Sequence, residues 1–172
     1  MAGAPRTQTA SYAVRFATKF PPDTRLPRHV QSEAAGRLAD ELASVTEGSG
    51  GMISRAHSRT GVAVAATPVG RIGCDLEHRT KGRPIRDIAD LLMNRRPDDD
   101  QTAYRVFTFH EAYFKAFGEM AGAARLRAVA QETAARYRTT DGLNVLHEAV
   151  GGDFLLTIVW DAPIEATRLA DD

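Results

Sequence analysis

The stretch Phe107-Thr-Phe-His-Glu-Ala-Tyr-Phe-Lys-Ala-Phe-Gly118 constrains the fold most. Phe107, Tyr113, Phe114 and Phe117 recur at helical spacing and Gly118 supplies a stop, so the pattern predicts a helix over about residues 101–117. Tyr113, Phe114 and Phe117 are expected in the core. Glu111 and Lys115 are four apart and therefore share a face, the acid preceding the base as such pairs prefer. Upstream, Gly70-Arg-Ile-Gly-Cys-Asp-Leu-Glu77 reads as a strand in which Asp75 and Glu77 project from one side and Cys74 from the other. Two neighbouring carboxylates repel unless a cation lies between them. A third, from Glu111, would complete an oxygen-rich cluster suited to Mg²⁺. Cys74 is expected to be a small buried apolar residue.

The other elements are read around this pair. Alternation of Tyr12, Val14 and Phe16 predicts a strand over residues 11–17, and three prolines in residues 20–27 force a loop. Ser32 is read as the N-cap of a helix whose stripe is Ala35, Leu38, Ala39, Leu42 and Val45. Residues 1–10 are expected to be a loose terminus and residues 47–51 a flexible glycine-rich run. Residues 52–61 are too polar for a core strand, whereas 62–67 and 69–77 are read as adjacent strands turning near Pro68 and Gly70. Pro84 opens a helix with the stripe Ile85, Ile88, Ala89, Leu92 and Met93, which residues 94–100 break. The last third is read as a three-stranded meander turning at Asp141-Gly142 and Gly151-Gly152. The order of elements gives α+β, and the sequence contains no internal repeat.

The chain has 172 residues, enough for one domain with a real core or for two small repeated halves sharing one. Lys plus Arg and Asp plus Glu both number 22, so the net charge is zero. That argues against a nucleic-acid partner held by bulk charge, leaving only local charge specificity. One cysteine allows no internal disulfide, no apolar run is long enough to span a membrane, and the opening residues lack a secretory core. A cytoplasmic protein is the expectation.

Three pieces stand in order: Ser54-Arg-Ala-His-Ser58, Gly73-Cys-Asp-Leu-Glu77 and Phe107-Thr-Phe-His-Glu-Ala-Tyr-Phe-Lys115. Together they resemble the 4′-phosphopantetheinyl transferases, whose members show a Ser-His-Ser loop, a Gly-(Val/Ile)-Asp-(Ile/Leu)-Glu strand and a Trp-(Ser/Thr)-x-Lys-Glu-(Ala/Ser)-(Tyr/Phe)-x-Lys helix. The resemblance implies an antiparallel sheet packed on helices and transfer of the phosphopantetheine arm of coenzyme A to a serine of an acidic acyl, aryl or peptidyl carrier protein. It implies a Mg²⁺ or Mn²⁺ site at Asp75, Glu77 and Glu111. Lys115 would bind the phosphates, Glu111 or a metal-bound water would take the serine proton, and Arg55 and His57 would contact the nucleotide phosphates. Arg25 and Arg28 could reach back to the same nucleotide. The chain would be one domain over residues 1–172, with a shortened N-terminal lobe at 11–53 and the main catalytic lobe at 54–172. Phe107 stands for the usual tryptophan, His110 for a basic residue, and Ala56 for a loop serine. The reduced lobe and Ala56 motivate a second expectation, a non-catalytic relative that binds a carrier protein or nucleotide. Arg125, Arg127, Arg136 and Arg138 are either a solvated face or a docking face for an acidic carrier.

Overall fold

A computed structural model describes residues 9–45 and 51–170. Most of the expected loose terminus and of the glycine-rich run lies outside the described residues, as does the side chain of Val45. The described chain is α+β, with four helices and two mostly antiparallel sheets.

The first sheet contains β1 (Ala10–Phe16), β2 (Met52–Ser58), β3 (Gly61–Thr67) and β8 (Ala166–Arg168), in the order β2-β3-β1-β8. The second contains β4 (Ile72–His78), β5 (Arg136–Arg138), β6 (Asn144–Val150) and β7 (Phe154–Trp160), in the order β4-β7-β6-β5. Helix α1 (Arg28–Val45) covers the first sheet; α2 (Ile85–Met93), α3 (Asp100–Phe117) and α4 (Ala123–Gln131) cover the second. Three cores result. Ala35, Leu38 and Leu42 meet Ala13, Val62 and Val64 beneath α1. Tyr12, Ala65, Leu76, Phe154 and Trp160 fill the space between the sheets. Phe109, Leu126, Val145 and Val159 pack between the second sheet and its helices.

These layers explain the composition of the strands. β7 is buried along its whole length because it has a sheet on one side and helices on the other, so Phe-Leu-Leu-Thr-Ile-Val-Trp reads as a nearly continuous apolar run. The meander β5-β6-β7 forms with the expected turns, Gly142, Gly151 and Gly152 all taking positive φ. Each half of the molecule follows the same path: its first strand pairs antiparallel with its last, which pairs with the one before. The repetition is one of path, with no trace in the residues.

Several expectations are corrected. Residues 52–58 form a strand, because Ser54 and Ala56 turn inward while Arg55 and His57 face solvent on an edge. β3 and β4 are not hairpin partners. β3 pairs with β1 and β2, β4 pairs with β7, and residues 68–71 carry the chain from one sheet to the other. The chain thus leaves the first sheet after Thr67. α1 begins at Arg28, directly after Pro27 has ended the loop, and Ser32 lies exposed inside it. α4 and β8 have no counterpart among the elements expected from the sequence. β8 lies parallel to β1, a pairing that only the returning chain can supply.

Candidate active site at the junction of the two sheets

Gly73, Asp75 and Glu77 point from β4 toward α3, whereas Ile72, Cys74 and Leu76 point into the core between the sheets. Gly73 makes the approach of the helix possible: a Cβ there would lie 1.9 Å from the Ala112 carbonyl oxygen and 2.7 Å from the Ala116 nitrogen. α3 itself is sharply bounded. The Asp99 carboxylate accepts from the Thr102 N–H at 2.7 Å, and Gly118 closes the other end in the left-handed conformation. Lys115 is thereby carried over β4, where its Nζ donates to Asp75 Oδ1 at 2.8 Å and to the Cys74 carbonyl at 3.1 Å.

The predicted same-side placement of Asp75 and Glu77 and the shared face of Glu111 and Lys115 therefore meet at one place. Burial pushes the Asp75 pKa up to about 6; Lys115 opposes this, and the charges of Glu77 and Glu111 add to it. Burial alone would lower Lys115, but the Asp75 charge and hydrogen bond outweigh it, and the Lys115 pKa is raised. Asp75 Oδ2 is buried with no hydrogen-bond partner. Glu77 is less enclosed. Its Oε2 accepts from Arg83 at 2.7 Å and from the Ser58 hydroxyl at 3.4 Å, and the Arg83 guanidinium lies 4.9 Å from the Phe107 ring centre. Glu111 is half-buried and its carboxylate has no hydrogen bond among the described residues, although its charge acts on both Asp75 and Lys115.

As arranged here, no three His, Cys, Asp or Glu side chains among the described residues form a metal-binding group. Lys115 and Arg83 meet the charges of Asp75 and Glu77 instead. The donor chemistry nevertheless fits a hard divalent ion: the three side chains offer only carboxylate oxygens, and one of those on Asp75 is buried without a partner.

β2 supplies the other wall. The outer edge of β4 has no strand partner among the described residues, and its N–H groups are taken up by side chains at a fixed offset: Ile72 by Met52 Sδ, Cys74 by Ser54 Oγ and His78 by Ser58 Oγ. The same offset sets Ala56 against Leu76, where the side chain has no acceptor to offer. The Ser-x-x-x-Ser pattern thus joins the two sheets. It is also the segment that was expected to be a loop.

Beside this junction lies a cavity of about 380 Å³ lined by Arg25, Arg28, His57, Arg59 and Ser58, with Glu77 from the acidic cluster. Gln31 Nε2 donates to the Arg59 carbonyl at 2.6 Å, fixing the start of α1 against the β2–β3 turn. Of the two residues expected to meet a nucleotide, His57 lines this cavity. Arg55 lies exposed on the same face of β2 and does not. Arg25 and Arg28 do reach back to it. Arg59 and Arg83 were missed, since arginines in polar turns carry no periodic signal.

The remaining candidates are accounted for locally. Cys74 is fully buried, and burial pushes its thiol pKa up to about 11, as suits a packing residue. Phe114, expected in the core, is 47% exposed because it falls on the outward face of α3; Phe109, inward-facing, is fully buried instead. His110 is buried with Nδ1 unpartnered. The four arginines of the expected patch are internally engaged: Arg125 with Asp141, Arg127 with the Met93 carbonyl, Arg136 with Glu165 and Arg138 with the Gly142 carbonyl.

No helix among the described residues is long and apolar enough to cross a membrane. No protein-family model matches the chain, and no curated protein does.

Proposed function

We propose that the protein is a 4′-phosphopantetheinyl transferase, acting on coenzyme A and a carrier-protein serine, with the fold of that family. The observation that carries this reading is the buried Asp75, one oxygen held by Lys115 and the other unpartnered, in the field of Glu77 and Glu111 beside a basic cavity. A surface ion pair needs none of these neighbours. A site for a pyrophosphate donor needs a hard-oxygen group and nearby fixed cations.

Asp75, Glu77 and Glu111 would hold Mg²⁺ or Mn²⁺, which when bound supplies charge neutralisation to the pyrophosphate. Arg25, Arg28, Arg59 and His57 would bind the nucleotide end, and Lys115 the phosphate being transferred. The carrier serine oxygen attacks the phosphorus that bears the pantetheine arm. A new P–O bond forms, the pyrophosphate P–O bond breaks, and adenosine 3′,5′-bisphosphate leaves with the electron pair. Glu111, whose carboxylate has no hydrogen bond among the described residues, would receive the serine proton.

A second reading follows from the ion pairs themselves. Lys115 on Asp75 and Arg83 on Glu77 would serve a non-catalytic binder of carrier protein or nucleotide equally well, as fixed, neutralised contacts. Intact-mass spectrometry of an apo carrier incubated with the protein, coenzyme A and Mg²⁺ separates the two. Gain of the pantetheine arm, abolished in Asp75→Ala and Glu111→Ala with unchanged circular dichroism, supports the enzyme. Binding without a mass gain supports the second reading.

A further inference from the structure

A second cluster lies at the opposite end of α3. Arg105 and Lys115 are ten residues apart in sequence, which at 1.5 Å per residue separates them by about 15 Å along the helix. Arg105 is only 9% exposed, and no carboxylate lies within ion-pair distance of it among the described residues. Its described hydrogen bond runs from one terminal nitrogen to the Ala134 carbonyl at 2.7 Å, and its Nε is buried without a partner. Removing a guanidinium from water without a counter-charge is costly, and one carbonyl offsets only part of that cost.

Arg105 lines a cavity of about 220 Å³ together with Arg79, Gln101, Thr133, His147 and Leu155. Two guanidinium groups facing one small space repel unless something negative lies between them. The surrounding groups do not supply that charge. Glu132, whose charge reaches Tyr137, lines a different cavity, beside Arg125 and Asp141, and is turned toward the N–H groups of Thr133 and Ala134, from which its Oε1 accepts. His147 is held neutral by burial and by the Arg105 charge. Its Nδ1 is 2.8 Å from Thr157 Oγ1, and its Nε2 is 3.4 Å from the Tyr137 hydroxyl. Leu155 closes one wall with an apolar side chain, limiting the occupant to a small group.

We infer that this cavity is a binding site for a small oxyanion, a carboxylate or a phosphate, held chiefly by Arg105 with Arg79 at its mouth. Arg79 is half-buried and already fixed by donation to the Gly152 carbonyl at 2.6 Å, so it presents its charge at little further entropic cost. The site is independent of the proposed transferase chemistry, and its occupant needs no metal.

The test is a titration of the full chain with sodium phosphate and, separately, sodium succinate, at constant ionic strength set with chloride. It is read by thermal melting and by the ¹H–¹⁵N resonance of the Arg105 Nε–H. A saturable shift with phosphate alone assigns a phosphate site, with succinate alone a carboxylate site, and with both a general oxyanion site. Arg79→Gln is expected to weaken the response about tenfold and Arg105→Gln to remove it. Should Arg105→Gln fail to fold, the wild-type resonance and Arg79→Gln still decide. An Nε–H resonance that neither anion moves, or equal affinities in Arg79→Gln and wild type, overturns the assignment.

Discussion

The two halves of the molecule repeat one path and differ in what they bury beneath their helices. Under α1 the first sheet presents Ala13, Val62, Val64 and Ala66, all apolar. Under α3 the second presents Gly73, Asp75, Thr157 and His147 among its apolar residues, Asp75 pairing with Thr157 and Thr157 with His147 across the strands. Thr157 Oγ1 also lies 2.6 Å from Thr108 Oγ1, which donates to the Tyr104 carbonyl at 2.8 Å. Topology alone therefore assigns no chemistry. The sheet face that buries Asp, Thr and His beneath its helix is the one whose helix comes close enough, and is polar enough, to satisfy them.

The sharpest way to break that contrast is at its closest approach. Gly73→Ala places a methyl group inside the Ala112 carbonyl, an atom of helix backbone that cannot rotate away. It should destabilise the protein by more than about 3 kcal/mol in urea melts and pull Lys115 off Asp75. A variant as stable as wild type would mean that α3 does not depend on the glycine.

The buried polar row gives a smaller, pH-dependent effect. His147 has its pKa lowered to about 3 by burial and by Arg105, below the ordinary value of 6.5. The unfolded chain then binds one more proton than the folded chain between those values. Its stabilising contribution is present above pH 6.5 and is lost as the pH falls toward 3. His147→Asn should flatten the acid limb of the stability profile by up to about 1.4 kcal/mol per pH unit. An unchanged slope would show that His147 protonates freely in the folded state.

The apolar half supplies the opposite sign. Gly36, in the middle of α1, has nothing within 4 Å of where a Cβ would lie, so Gly36→Ala should stabilise by about 0.5 to 1 kcal/mol. Loss of stability would mean that α1 faces a neighbour there. The paired glycine variants, opposite in sign, measure how differently the two helices sit on their sheets.

The sequence by itself determined the elements whose signals are local. The α3 helix carried its stripe and its glycine stop, the meander its Asp-Gly and Gly-Gly turns, and Asp75 with Glu77 the two-residue period that sets side chains on one face. Those features follow from backbone geometry and need no knowledge of partners. The tertiary structure alone decided that residues 52–58 form a strand, since alternation of Ser and Ala inward against Arg and His outward becomes legible only beside β4, whose N–H groups the serines satisfy. It decided likewise that β3 leaves β4 for β1, that β8 joins β1, and that Phe114 is exposed while Phe109 is buried. Arg83, Arg59 and Arg105 acquired meaning in the same way. None carries a periodic signal in sequence, and the role of each comes from what long-range packing sets around it: a carboxylate for Arg83, a cavity for Arg59, and for Arg105 a buried space with no counter-charge.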